Sequence, residues 1–482
     1  MLLALYNLLF WLAQPLLRRK LRRRSAAEPL YLHAVHQRFA RYTPQEQQQA
    51  QSHAGQWLWV HAVSLGETRA AAILIQALRQ MQPDLRLLLT HGTATGWQTG
   101  STLLRDGDMQ VWLPWDERGA VQRFVQTFRP RAGLVMETEI WPQLLQACRQ
   151  HAVPVALVNA RLSEKTLRQW QRLPRLARQA YDSLAVAYAQ TAADAQRLHT
   201  LGAPVVQISG NLKFDATPDA QLLQQGRALR QHWQAQAMQK TAHAAPPRPV
   251  ALLASSREGE EALWLQALQA LPAAQRQALQ WLIVPRHPQR FDAVAQLLQD
   301  AGLQVQRRSQ IGPNDASTSP SPATDQVSAH TTIWLGDSLG EMPMYYAAAD
   351  LALMGGSFEK LGGQNLIEAC ACGCPVLLGP HTFNFAQASE QAIAAGAALR
   401  CADMANALQQ ALALLLPASL ATAGTVADAA SADAAKATSA PAETHATPTL
   451  AAMRQAAVAF SQAHQGAAVR IAADVQQRGW LG

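Results

Sequence analysis

Three carboxylates and a set of cations stand where apolar runs end, and their types suit proton transfer at a phosphate- or carboxylate-bearing substrate. In WLWVHAVSLGETRAA, residues 57–71, a run that is apolar except for His61 empties into Ser64-Leu65-Gly66, read as a tight turn, and Glu67 then opens a helix over Thr68–Arg79. Glu67 at such a position can take a proton from an alcohol nucleophile. The plainer reading is a carboxylate that complements the helix dipole, worth under about 1 kcal/mol. Glu137 and Glu139 close the run AGLVMETE, where they can orient groups or stabilise developing charge; as ordinary features they would be solvated caps. Arg161, Lys213, Arg257 and Arg286 follow other runs and supply cations for phosphates and sugar carboxylates, although a strand-end arginine is also a common surface ion pair.

The second half carries MGGSFEKLGGQNLIEACACG, residues 354–373. Gly355 and Gly356 let backbone N–H groups approach an anion closely, and Ser357 adds a hydroxyl. Gly362 and Gly363 precede a helix starting near Gln364, whose free N–H groups favour a phosphate. Asn365 and Glu368, three apart, are expected on one helix face, where the carboxylate can accept from a ribose hydroxyl. Glycine-rich turns occur in any α/β protein, so the pattern alone does not single out an anion site.

Positioning these groups takes two series of strands. WLWVHAV, LRLLLTH, MQVWLPW, AGLVMET, VPVALVNA, LAVAYAQ and VVQISG alternate with helix-length segments, which predicts one parallel α/β domain. After a helical stretch over Gln221–Ala245 and a PPRP linker, PVALLASS, QWLIVPRH, TTIWLGD, ADLALMGGS and CPVLLGP predict a second. Ser309–Thr331 and Pro417–Pro448 hold too few large apolar residues for a core and read as insertions. Ala451–Gln477 returns to helix and is expected to pack back across the domain junction. The expected division is 1–24, 25–215, 216–248 as linker, 249–416 with a disordered insertion at 309–331, 417–448 as low-complexity linker, and 449–482 as a C-terminal helix. Polar residues at ten strand ends, among them Ser64, Gly66, Thr93, Thr95 and Gly96, suggest a lined cleft.

A net charge of +8 over 482 residues would suit nucleic acid, but six of the cations lie between Arg18 and Arg24, so a nucleic-acid surface is poorly supported. MLLALYNLLFWLAQPLL, ahead of that cluster, has no charge. The charge order is the reverse of a signal peptide, the length is at the lower limit for spanning, and the cluster marks the cytoplasmic side. The segment therefore reads as a membrane anchor, spanning or interfacial, that keeps the catalytic mass beside the inner leaflet; a helix packed on its own protein is the alternative. Five cysteines form no secreted-type framework, and the spacing of Cys370, Cys372 and Cys374 fits small buried residues better than a metal site. No dinucleotide fingerprint, P-loop or nucleophile elbow is present, which argues against a dehydrogenase, an NTPase and a serine hydrolase.

HAVSLGE (61–67), T-x-T-G (93–96), METEIWP (136–142), NARLS (159–163), GNLKFD (210–215), SREGEE (256–261), VPRHP (284–288), GDSLGE (336–341), GGSF (355–358), N-x-x-E (365–368) and GPHTFNF (379–385) occur in order across both halves. Together they resemble the bacterial 3-deoxy-D-manno-octulosonic acid (Kdo) transferases of lipopolysaccharide assembly. The resemblance implies an α/β fold of GT-B type, two Rossmann-like parallel-sheet domains facing a cleft, with an N-terminal membrane-anchor helix. It implies transfer of Kdo from CMP-Kdo to a lipid A precursor at the cytoplasmic face of the inner membrane, with inversion. Glu67 would be the general base, assisted by Glu137, Glu139 and Lys213. Arg286, His287, Leu339, Gly340, Glu341, Gly355, Gly356, Ser357 and Asn365, Leu366, Ile367 and Glu368 would hold the donor. Ser64, Gly66, Thr93, Thr95 and Arg161 would line the substrate side. Partners would be CMP-Kdo, the lipid acceptor and inner-membrane lipids, with no cofactor, no metal and no nucleic acid.

The sequence departs from the family pattern at Gln364, where the family has His, and at Leu366, where it has Pro; the two insertions are not family features. Two other functions compete: a different GT-B sugar-nucleotide transferase or epimerase, and a catalytically silent lipid- or nucleotide-binding protein.

Overall fold

The computed structural model describes residues 2–240, 248–310, 332–421 and 448–481. The chain divides into two units, residues 1–215 with 464–482, and residues 216–463.

In the first unit, seven β-rich runs form strands β1 (Trp57–His61), β2 (Arg86–His91), β3 (Met109–Trp112), β4 (Ala132–Met136), β5 (Val155–Ala160), β6 (Val186–Ala189) and β7 (Val206–Ile208). All pair in parallel, in the order β3-β2-β1-β4-β5-β6-β7. Alternate residues serve opposite faces. Trp57, Trp59, Leu88 and Val111 pack with Phe124, Phe128 and Leu144 on one side. Leu58, Val60, Leu87, Leu89 and Leu134 pack on the other with Ala70, Ala71 and Leu74 of the helix Leu65–Met81 and with Ile471 and Val475. Both faces are covered, which is why the strands read as continuous apolar runs. The strand order reverses between β1 and β4, and loops at such a reversal diverge and leave room for a ligand.

In the second unit β8 (Val250–Ser256), β9 (Gln280–Pro285), β10 (Gln304–Arg307), β11 (Thr332–Leu335), β12 (Leu351–Met354), β13 (Val376–Leu378) and β14 (Ala398–Arg400) form another parallel sheet. Its order is β10-β11-β9-β8-β12-β13-β14, with the reversal between β8 and β12. The edge strands β10 and β14 have no counterpart in the sequence reading. Each is short and only partly buried, so neither needs a continuous apolar run.

Four boundaries differ from the sequence reading. The helix carrying Glu67 starts at Leu65, because the Ser64 side chain caps it, so Ser64-Leu65-Gly66 is a cap and first turn. The single helix expected over 451–477 is two, Leu450–Ala463 and Ala467–Gln477; Gly466 sits at φ 95° between them. Asp215 fixes that break by accepting the backbone N–H groups of Gly466 and Ala468, which places the last helix in the first unit. Ser309 and Gln310, assigned to the disordered insertion, finish a 3-10 turn in which Ser309 donates both its N–H and its hydroxyl to Asp337. Residues 418–421, assigned to the low-complexity linker, are a helical turn, Ala418–Ala421. The remainder of both insertions, 311–331 and 422–447, and residues 241–247 with most of the PPRP linker lie outside the described residues.

The N-terminal helix runs Leu2–Ser25. Among the described residues no helix is long and apolar enough to cross a membrane. The helix is bonded to its own unit: the Asn7 side chain accepts from Arg118 N at 2.8 Å, Leu3 O accepts from Gln143 Nε2 at 2.8 Å, and Tyr6 reaches the buried carboxylate of Asp116. Leu21 is buried beside Tyr31 and Ala94. Leu8, Leu9, Trp11, Leu12 and Leu16 stay exposed, and Arg18–Lys20 and Arg22–Arg24 follow them at the surface.

Candidate active site

The first unit brings its predicted residues together at the carboxyl ends of β1, β2, β4, β5 and β7. Glu67 is the third residue of its helix. Its Oε2 accepts from Val63 N at 2.7 Å, and its Oε1 accepts from the Ser64 hydroxyl at 3.1 Å. The Ser64 hydroxyl in turn accepts from the Glu67 amide at 3.4 Å. Burial pushes the Glu67 carboxyl up to about 7, against the pull of the Val63 N–H and with the help of the charges on Glu137 and Glu139. A carboxyl near neutrality, held by two donors at the end of a strand, is a base matched to alcohol deprotonation.

Around it, Thr93 caps the helix Ala94–Ser101 and donates its hydroxyl to Val63 O at 2.9 Å; Thr95 Oγ1 lies 3.4 Å from that hydroxyl. Gly96 is required by close approach, since a Cβ there would meet Val63 O at 2.8 Å. Gly66 faces open space on the first turn.

Glu137 is buried at φ 55°, a left-handed conformation that costs a non-glycine residue of order 1–3 kcal/mol. Its Oε2 meets Arg161 Nε at 2.9 Å and its Oε1 meets Lys213 Nζ at 3.4 Å. One strained carboxylate thus fixes two cations from the ends of β5 and β7. Asn159, also left-handed at φ 54°, accepts from Leu212 N at 3.0 Å and holds the turn that presents Lys213. Glu139 is half-buried, and burial together with the Glu137 charge holds its carboxyl above the usual range.

The second unit departs from expectation at three points. At the Gly355-Gly356-Ser357 turn the Gly356 N–H does meet an anion, but it is the chain's own Glu260: Gly356 N and Phe358 N donate to its two oxygens at 2.6 and 3.0 Å, and Arg257 N donates at 2.8 Å, while Gly355 N donates to Ala254 O at 2.8 Å. The Ser357 hydroxyl is fully buried, donating to Met354 O and accepting from Gly379 N. A buried carboxylate needs those donors, so they are not available to a ligand phosphate. The glycine at 355 is explained by sterics, because a Cβ there would lie 2.3 Å from Ser255 O. Leu366 and Ile367 are buried as well, which leaves their side chains no part in contacting a donor. Asn365 stands at the N-cap position of the short helix Leu366–Ala371 without a side-chain cap bond, rather than sharing its face with half-buried Glu368, and its buried Oδ1 has no hydrogen-bond partner among the described residues.

Other predicted donor residues remain accessible. Arg286 is half-buried at the end of β9 and donates Nε to Gln364 Oε1 at 3.3 Å, so Gln364 orients that guanidinium. Burial and the cations Arg257 and Arg286 hold the neighbouring His287 ring below its usual range. Arg257 itself is paired with Glu258 at 3.0 Å. Leu339 is 69% exposed, Gly340 stands at φ 82° in open space, and Glu341 pairs with Arg308 at 3.1 Å. Arg308, Asp337 and Ser338 join this rim; Asp337 and Ser338 lie within the GDSLGE stretch, whereas Arg308, some thirty residues earlier, carries no sequence signal for it. Cys370 and Cys374 are buried in the core as small packing residues, whereas Cys372 is only half-buried.

A family model described as 3-deoxy-D-manno-octulosonic-acid transferase (kdotransferase) matches residues 33–216. The 3-deoxy-D-manno-octulosonic acid transferase of Bordetella pertussis is 49% identical over 369 residues, covering 74% of this chain and 79% of that protein. Its namesake from Haemophilus influenzae is 31% identical over 413 residues, covering 85% of this chain and 90% of its own. Among solved structures, the C-terminal CMP-Kdo binding domain of WaaA from Acinetobacter baumannii is 28% identical, with a TM-score of 0.33, covering 40% of this chain and 89% of that one.

Proposed function

Because the chain belongs to the 3-deoxy-D-manno-octulosonic acid (Kdo) transferase family, we propose that it moves Kdo from CMP-Kdo to a sugar hydroxyl of a lipid A precursor, with Glu67 as general base. The observation that carries the reading is the gathering of Glu67, Glu137, Glu139, Arg161 and Lys213 where the first sheet reverses its strand order, with the Glu67 carboxyl near 7.

Glu67 takes the acceptor's hydroxyl proton. The resulting oxygen forms a bond to the anomeric carbon of Kdo from the face opposite the leaving group. The bond from that carbon to the phosphate oxygen breaks, and CMP departs with the electron pair, inverting the centre. Arg161 and Lys213, anchored by Glu137, offset the negative charge of the acidic sugar and the transition state. Glu137 has a cation on each oxygen and is assigned the anchoring role; Glu139 keeps the Glu67 carboxyl high. Arg286, oriented by Gln364, neutralises the donor phosphate, with His287 and the rim from Leu339 to Glu341 beside it. These fixed cations supply the charge that a metal ion would otherwise supply, so turnover is expected to survive a chelator.

The N-terminal helix is proposed to lie in the interface of the inner membrane's cytoplasmic leaflet. Leu8, Leu9, Trp11, Leu12 and Leu16 form one apolar side, and the basic run beyond them suits anionic headgroups. A helix whose first turns are bonded to Arg118, Gln143 and Asp116 is held on its unit, which favours lying in the interface over spanning.

The deciding experiment incubates the purified protein with a lipid A precursor and either CMP-Kdo or a UDP-sugar, and reads the glycolipid mass. A Kdo increment supports the proposal and counts the transfers; product only from the UDP-sugar rejects it.

A further inference from the structure

Glu67 is held by a peptide group, and that peptide group is itself held. The Ala62–Val63 peptide donates its N–H to Glu67 Oε2 at 2.7 Å, while its carbonyl lies 2.9 Å from Nδ1 of His91 at the end of β2. A carbonyl oxygen only accepts, so Nδ1 carries the proton. Burial pushes the His91 ring down to about 4, so the donor is a neutral imidazole. We infer that His91 is a positioning residue for the transfer reaction, acting on Glu67 through the Ala62–Val63 peptide. The inference rests on the reading of Glu67 as the base.

Three observations carry it. The His91 side chain is wholly buried, so it acts on substrate only through another group. Room for the ring is built into the neighbouring helix: at Gly100 a Cβ would stand 2.2 Å from Nε2 of His91. The next peptide along is anchored too, its Val63 O accepting from Gly92 N, Thr93 N and the Thr93 hydroxyl at 3.2, 3.0 and 2.9 Å, so the backbone on the far side of Val63 is also fixed. A donor at one end of an amide strengthens the bond at the other by polarising it. His91 therefore sharpens the Val63 N–H, which fixes Oε2 and counters the rise that burial imposes on the Glu67 carboxyl.

The test is the pH dependence of kcat in H91N, H91Q and H91F, with melting temperatures measured alongside. Asparagine returns an N–H to the Nδ1 position, glutamine places it nearer Nε2, and phenylalanine fills the space without a donor. The groups facing Glu67 are the Ser64 hydroxyl on its own helix and Glu137 and Glu139 from the β4 loop, with Arg161 and Lys213 on Glu137; all are unchanged in these variants. Expected is an acidic limb moved up by roughly half a pH unit in H91F and H91Q, with kcat lowered severalfold and KM for CMP-Kdo unchanged, and a wild-type profile in H91N. An unmoved limb in H91Q, or equal damage in H91N and H91Q, reduces His91 to packing and overturns the inference. If H91F does not fold, the asparagine–glutamine comparison still decides. E67Q separates the two levels. Turnover in E67Q removes the base reading and this inference with it, whereas an inactive E67Q beside an unshifted H91Q removes the inference alone.

Discussion

At the scale of single residues, the proposed role of the Glu67 carboxyl and its contribution to stability carry opposite signs. Its folded value, about 7, lies above the ordinary 4.5, so the folded protein binds more protons than the unfolded chain between those values. Stability contributed at this position is therefore fully present below pH 4.5, falls as pH rises through about 7, and is then constant. Glu67→Gln keeps an acceptor for the Val63 N–H without the buried charge. It is expected to lower kcat by about 10²–10⁴, while at pH 8 it raises unfolding free energy by roughly 1–3 kcal/mol. Turnover assays and thermal melts on one preparation check both. For the unmodified enzyme, kcat is expected to fall as pH drops through about 7, because the base becomes protonated; a pH–rate profile flat from 5.5 to 8 would contradict the assignment.

Among the elements, the glycine turn after β12 depends on Glu260 at the start of the helix Glu260–Ala270. Glu260→Ala strips the N–H groups of Gly356, Phe358 and Arg257 of their acceptor in a buried place. The expected loss is about 3 kcal/mol or more from the second unit, with weaker CMP binding because the turn loses its shape. Glu260→Gln retains one carbonyl oxygen and should lose less. Denaturant unfolding and calorimetry with CMP measure the two effects; a stable Ala variant would show that the turn is held by something else.

For the molecule as a whole, the proposal to test is that the exposed apolar side of the N-terminal helix attaches the enzyme to a membrane surface. Removing residues 1–24 would also remove Leu21 from a buried cluster and Tyr6 from Asp116, so truncation confounds attachment with folding. Replacing Leu9, Trp11, Leu12 and Leu16 by serine leaves those contacts in place. The substituted protein is expected to lose sedimentation with anionic vesicles, since each buried leucine contributes about 1.5–3 kcal/mol, and to keep its melting temperature. Unchanged sedimentation would remove the helix from membrane attachment.

The two parallel α/β series and the residues at their strand ends could be read from local pattern, because a buried strand and the turn after it are written within a dozen neighbouring residues. Ser64, Glu67, Glu137 and Glu139 were legible for that reason. Contacts that span long separations emerged with the packed fold. Glu260 fills the glycine turn nearly a hundred residues away, Glu137 gathers Arg161 and Lys213, Asp215 splits the last helix into two, and His91 meets the Ala62 carbonyl. The packed fold also decided the edge strands β10 and β14, whose pairing on one side leaves little apolar pattern to read. Local periodicity reports which face of an element is buried. Which polar group satisfies which buried partner depends on strand order, and that is set by packing the whole sheet.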